Sequence, residues 1–114
     1  MVSKKTILNS IACKNIDFLK LLTKYSGKIK KFKSLLKNAT PAQVDSISEI
    51  ILNYLSGHLN LNVEKYRKHS KLLRFIADNS KTCKKRRQKI LSRGHGIITP
   101  LIALAIPVLM KMLK

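Results

Sequence analysis

Five carboxylates, Asp17, Asp45, Glu49, Glu64 and Asp78, face twenty-four lysines and arginines in this 114-residue chain, a formal net charge of +19. Self-repulsion on that scale opposes any compact state until something anionic offsets it. The chain is long enough for one domain with one modest core, and an apolar share of 45% is enough to build it. The expected partner is therefore a polyanion, either nucleic acid or an anionic membrane face. Duplex DNA carries one charge per ~1.7 Å, so this excess matches the phosphates of roughly ten base pairs. Binding of that kind is steeply salt-dependent and largely blind to sequence.

The apolar residues recur at helical spacing. Ile7, Ile11, Phe18, Leu22, Tyr25, Ile29, Phe32 and Leu36 follow gaps of three, four or seven. Ser26-Gly27 divides them into a helix near 5–25 and a shorter basic helix near 28–38. Thr40-Pro41-Ala42-Gln43 is a start signal, with Thr40 as cap, Pro41 at the first helical position and Gln43 closing a capping box. Val44, Ile47, Ile51 and Tyr54, widened by Ile50 and Leu55, make the helix that follows the expected centre of the core. Asp45 and Glu49 lie towards its positive end, where the helix dipole favours them. Gly57 is its expected stop.

Asn62 is expected to cap a fourth helix reaching Asp78, with Val63, Tyr66, Leu73, Ile76 and Ala77 inward and Leu72 and Phe75 beside them. Its outer surface holds Lys65, Arg67, Lys68, Lys71 and Arg74. Thr82 opens a short helix to about Ser92. From Lys81 to Arg93, seven of thirteen residues are basic and none is acidic: Lys81, Lys84, Lys85, Arg86, Arg87, Lys89 and Arg93. A helix basic on nearly every side suits phosphate contact, where each cation releases a condensed counterion. These seven, with the five from the preceding helix, form the candidate nucleic-acid surface. Base-specific readout has little to work with, since Gln88 is the one amide on that helix. The tyrosines and phenylalanines, Phe75 included, fall on apolar stripes and are expected in the core.

After Gly94-His95-Gly96 the chain becomes almost wholly apolar. Thr99-Pro100 repeats the cap-and-proline signal, predicting a helix from about Pro100 to Leu113, kinked at Pro107. Its fourteen-residue apolar run spans ~21 Å, short of the ~30 Å hydrocarbon core of a bilayer. Three placements stay open: last helix of the core, subunit contact, or shallow membrane insertion. Ile97, Ile98, Leu101, Ile102, Leu104, Ile106, Val108 and Leu109 are the candidate membrane or oligomer contacts.

Catalytic and metal chemistry find no pattern here. Asp45 and Glu49 form the one close acid pair, and His58, His69 and His95 are scattered without matching acids or cysteines. Cys13 and Cys83 stand seventy residues apart, which suits neither a zinc site nor a disulfide framework and predicts two reduced thiols. No nucleotide loop is present, so neither a cofactor nor a small-molecule substrate is expected. No apolar signal segment follows Met1-Val2-Ser3-Lys4-Lys5, so secretion is not expected.

Three ordered stretches carry a family resemblance. Ile50-Ile51-Leu52-Asn53-Tyr54-Leu55-Ser56-Gly57 has an apolar–Asn–aromatic–Leu–x–Gly helix end, and the stretch from Lys65 to Ala77 has the form K-x-x-K-x-L-R-x-I/L-A. Lys84-Lys85-Arg86-Arg87-Gln88-Lys89-Ile90-Leu91, followed by Gly94-His95-Gly96-Ile97-Ile98-Thr99-Pro100-Leu101, resembles KKRK-x-L-L…RGGFLPLL. In this order they resemble a small basic protein family of adintoviruses and Maverick/Polinton elements, itself similar to the adenovirus core protein X (mu). The resemblance covers about three quarters of the chain. It implies a virion core protein that condenses DNA, present in the host nucleus during assembly, with Lys84, Lys85, Arg86, Arg87 and Lys89 as the matching basic run. Related viral proteases cut near the glycine pair, which here reads Gly94-His95-Gly96. A cut between His95 and Gly96 would place Ser92 where an apolar residue is preferred.

The expected protein is an all-α bundle of about five or six helices in a single domain over 1–114. Residues 1–38 hold the N-terminal helices, 39–93 the central and basic helices, and 94–114 the apolar, proline-kinked end. It is expected to self-associate and to bind double-stranded DNA, with RNA left open. The rival expectations are a membrane-active viral protein working through its C-terminal helix and a regulatory DNA-binding or interaction protein.

Overall fold

Thr40 starts the helix around which the rest packs. In the computed structural model, which describes residues 12–56, 68–78 and 80–112, the Gln43 backbone N–H donates to Thr40 Oγ1 at 3.2 Å. The Thr40 N–H donates to Gln43 Oε1 at 2.9 Å, so the capping box is complete and Pro41 occupies the first turn. Six α-helices are present among the described residues: α1 Ile16–Lys24, α2 Ile29–Lys37, α3 Pro41–Leu55, α4 Ser70–Ala77, α5 Cys83–Lys89 and α6 His95–Met112. A 3-10 turn, Cys13–Asn15, leads into α1, and a π-helical turn, Ile90–Gly94, joins α5 to α6. No strand occurs among these residues, and the fold is an all-α bundle.

α3 carries two charged side chains, Asp45 and Glu49, and buries Val44, Ile47, Ile50, Ile51 and Tyr54 along with Ser46, Ser48 and Asn53, leaving Leu52 exposed on its remaining side. It packs against α4, α5, α6 and the 3-10 turn, while α1 lies across α6 and touches α2. One cluster of buried residues draws on α1 to α4, the π-helical turn and α6, from Leu19 and Leu22 through Phe32, Leu36, Leu73 and Ile76 to Leu101 and Leu109, with Cys83 of α5 only partly buried at its edge. Each such side chain taken wholly out of water contributes roughly 1.5–3 kcal/mol. The sum offsets the ordering entropy and repulsion of so charged a chain.

The described boundaries follow the predicted ones closely in α2 and α3 and less closely elsewhere. Backbone turns at Tyr25–Gly27 end α1, with the Lys28 N–H donating to the Tyr25 carbonyl at 2.9 Å. The expected start of the first helix, Gly57, and the cap at Asn62 with Val63 and Tyr66 lie outside the described residues. Ser70–Ala77 is the described part of that fourth helix. Leu73, Ile76 and Ala77 are buried, as their stripe requires.

The C-terminal third departs from expectation. The chain does not break at Gly94-His95-Gly96 and restart at Pro100: its backbone is already helical from His95, and Thr99 is buried rather than capping. The two arms, Cys83–Gly94 and Gly96–Lys111, meet at 104°. Gly94 makes this corner by size. A Cβ there would lie 3.1 Å from Ile98 Cγ1 and 3.3 Å from Ile90 Cγ2, both on fully buried side chains. Pro100 and Pro107 both lie inside α6, half-buried and exposed respectively. They are thus on the side away from the core, where the carbonyls they leave unbonded, those of Gly96 and Ala103, can face water. No single helix among the described residues is long and apolar enough to cross a membrane.

Replacing Gly94 with Val should overpack the corner and lower stability by about 2 kcal/mol. Gly96→Ala, which meets nothing within 4 Å, should raise it by about 0.5–1 kcal/mol through backbone entropy. Urea unfolding of both variants measures the difference, and equal effects would mean that Gly94 is not the corner's steric requirement.

Candidate nucleic-acid interface

The twelve cations singled out from the sequence do not form one class. Lys68, Lys71, Arg74, Lys84, Lys85 and Arg93 are exposed, Lys81, Arg87 and Lys89 are half-buried, and Arg86 is buried. Lys65 and Arg67 lie outside the described residues.

Arg86 corrects the expectation of phosphate contact. Its Nη2 donates to Asp45 Oδ1 at 2.8 Å and its Nη1 to Ser48 Oγ at 2.7 Å. The Ser48 hydroxyl in turn donates to the Ile76 carbonyl at 2.6 Å. One guanidinium thus ties α5 to α3 and, through Ser48, to α4. Its side chain is 7% exposed against 42% for Asp45, so the pair sits at the core's edge with the acid facing water. Asp45 therefore answers a cation forty-one residues away as well as its own helix dipole. Arg87 is similarly committed: Nη2 donates to the Ala39 carbonyl at 2.8 Å, clamping α5 to the end of α2, and reaches Cys83 Sγ at 3.5 Å. The buried Nε–H groups of both arginines make no hydrogen bond, a cost of about 1–3 kcal/mol each.

What remains exposed gathers around a groove of about 660 Å³ where α4 faces the corner between α5 and α6. Lys68, Lys71, Lys89 and Arg93 line it, together with His69 and Ser92, over an apolar floor of Leu72, Phe75 and Ile97. An adjoining hollow adds Lys85 and Gln88, and a third, reached across Gln88 and Ser92, is walled by Lys33 and Lys37 of α2. No carboxylate among the described residues lines any of the three. The cations thus run without an acid from α4 across α5 to α2, and Arg74 and Lys84 stand outside these linings. Lys33 and Lys37 were not among the candidates from the sequence, although the acid-free run Ile29–Lys37 holds four lysines.

Phe75 is the other correction. It is half-buried in the groove lining rather than in the core, with the ammonium groups of Lys89 and Lys81 at 5.2 and 5.3 Å from its ring centroid. Cation–π attraction at that range holds two lysines that would otherwise repel each other. Of the remaining aromatics, Phe18, Phe32 and Tyr54 are buried and Tyr25 is half-buried. Tyr66 lies outside the described residues.

The apolar C-terminal candidates also divide. Ile98, Leu101, Ile102 and Leu109 are fully buried in the core, so they cannot serve as membrane or subunit contacts in this fold. Their 3.6-residue spacing explains why: they form the inner stripe of α6. Ile97, Ile106 and Val108 are half-buried, and Leu104 is exposed. The His95–Gly96 bond lies in the first turn of α6, so a protease would need that turn to unwind.

The cysteines stand apart. Cys13 is buried against α6, its thiol directed at the Leu109 carbonyl at 3.9 Å, and Cys83 is half-buried at the start of α5. Burial pushes the Cys13 thiol above its ordinary range, and the charge of Glu49 adds to the shift. The Asp78 carboxyl is held below its ordinary range by hydrogen bonds from the Ser80 hydroxyl and backbone N–H, with the charges of Lys81 and Arg86 adding to them. No three His, Cys, Asp or Glu side chains come together among the described residues in a way that could hold a metal. Comparison of the chain with protein-family models, curated proteins and solved structures finds no match.

Asp45→Ala leaves the buried Arg86 cation half-paired and should cost about 1–2 kcal/mol, tempered by water at the exposed acid. Arg86→Met removes the charge and its unbonded Nε together and puts an apolar anchor in the same space, so that α5 can stay docked by burial, and should cost less than about 1 kcal/mol. Thermal unfolding of the two variants tests this order. A costlier Arg86→Met would show that the ion pair itself, rather than an unpaired cation, governs the joint.

Proposed function

We propose that this chain is a non-enzymatic basic protein that binds and condenses double-stranded DNA by neutralising phosphate, largely without regard to sequence. The observation that carries the reading is the run of cations, without an acid among the described residues, from Lys68 and Lys71 through Lys85, the half-buried Lys89 and Arg93 to Lys33 and Lys37. The fold extends 37 Å in its longest dimension, and duplex of that length carries roughly twenty phosphates. A net charge of +19 nearly matches that number. Neutralised duplex segments no longer repel, which is what condensation requires. The resemblance to virion core proteins supports a place inside a viral particle, loaded in the host nucleus, with several copies associating along the duplex.

The test is the salt dependence of duplex binding by the full chain. Each phosphate contact adds about −0.9 to the slope of log affinity against log salt. Replacing Lys68, Lys71, Lys85 and Arg93 together by Ala should make the slope shallower by about 3 to 4, while Arg86→Met should leave it unchanged. An unchanged slope in the fourfold variant would overturn the assignment of this surface.

A second reading rests on the outer face of α6. Leu104 is 50% and Met110 41% exposed, and Ala103 and Pro107 are exposed beside them. An apolar stripe on a strongly cationic protein suits an anionic bilayer, where burial and charge act together. Because the opposite face of α6 is core, truncation at Gly94 would remove buried residues and confuse the test. Leu104→Glu with Met110→Glu leaves the inner stripe intact. On this reading the pair should abolish dye leakage from vesicles rich in phosphatidylserine while sparing most DNA binding, and absence of leakage by the unaltered chain would discard it.

A further inference from the structure

We propose that the groove between α4 and the α5–α6 corner seats an unpaired nucleotide base on the Phe75 ring, giving the chain a single-stranded nucleic-acid site beside its duplex-binding surface. The inference rests on the nucleic-acid reading above and adds a ligand form to it. A flat cationic surface is sufficient for duplex phosphates, and nothing in duplex binding calls for an aromatic ring at the bottom of a concavity. Bases in a duplex are stacked inside it, so a duplex laid over the groove reaches the rim cations and not the floor. A single strand exposes its bases and bends, and can place both base and phosphate within one hollow.

The groove has the features such a ligand needs. Its volume of about 660 Å³ falls within the ~300–1,000 Å³ of small-ligand sites. Phe75 is half-buried and lines the hollow, so part of its ring is open to a ligand there. Ile97 and Leu72 extend the apolar floor around it, and Lys68, Lys71 and Arg93 line the same space. The two ammonium groups at 5.2 and 5.3 Å from the ring define the chemistry further. A bare phosphate would draw these lysines away and leave the ring facing water. A neutral aromatic would cover the ring and leave the ammonium groups without their π partner. A nucleotide supplies a π-face to the ring and an anion to the lysines in the same event. Sequence tolerance follows, because every base has a π-face and no amide other than Gln88 lies in the adjoining lining.

Fluorescence anisotropy of the full chain with labelled oligothymidylate and with a mixed-sequence duplex of equal length, at one salt concentration, tests the site. Phe75→Leu keeps apolar volume and removes the π-face. It should weaken oligothymidylate binding about tenfold and change duplex binding by less than about twofold, because the phosphate contacts are untouched; Phe75→Tyr should restore the single-strand affinity. A measurement on the unaltered protein guards against a folding defect in the variant. Phe18 and Phe32, both buried, are internal controls for the Phe75 ring proton resonances, which should move upfield with oligothymidylate and stay in place with duplex. Unmoved Phe75 resonances at saturation, or equal loss of both ligands in Phe75→Leu, would overturn this inference and leave the duplex reading intact. Failure of the unaltered chain to bind either ligand at low salt would overturn the nucleic-acid reading itself.

Discussion

The guanidinium of Arg86, held between Asp45 and Ser48, is the joint on which the arrangement of the basic helices depends. α5 has almost no apolar surface of its own: its seven residues are Cys83, two lysines, two arginines, Gln88 and Lys89. A helix like that cannot dock by burial. It docks because one arginine enters the interior and meets the acid and hydroxyl of α3, while Arg87 reaches the Ala39 carbonyl at the end of α2. With those two cations turned inward, Lys85 and Lys89 are left facing out beside α4. The protein thus uses part of its positive charge to position the rest.

The same joint accounts for the shape of the candidate interface. Ser48 donates to the Ile76 carbonyl, so the element that receives Arg86 also holds the end of α4. α4 and α5 are consequently fixed on neighbouring sides of α3, and the corner at Gly94 turns α6 away beneath them at 104°. The hollow between these elements is lined by cations because only their outer faces border it. Phe75 reaches its floor because the inward stripe of α4 is already filled by Leu73 and Ile76. Apolar burial supplies the stability, and the polar joint supplies the geometry.

α6 answers the open question of the apolar end in part. Its inner stripe completes the core against α1 and α3, and its outer face still exposes Leu104 and Met110. A helix apolar on every side leaves a surplus when it has only one side to bury. The prolines belong to this account, since both lie away from the core, where the hydrogen bonds they remove cost least.

Much of the fold was legible in the residues because it depends on local rules. The all-helical class follows from apolar spacing near 3.6 residues, and the start of α3 from Thr40, Pro41 and Gln43, whose side chains act within one turn. The cationic excess is likewise a property of the chain itself, and so is the expectation of a polyanionic partner. What no local pattern carried was the fate of each cation. Arg86 and Lys85 are adjacent and chemically alike, yet one is buried and one exposed, because Asp45 lies forty-one residues from Arg86 in the chain and 2.8 Å from it in space. Phe75 moved from core to groove, and Gly94 became a corner, for the same reason. Their roles are set by the elements packed against them, which only the tertiary structure brings together.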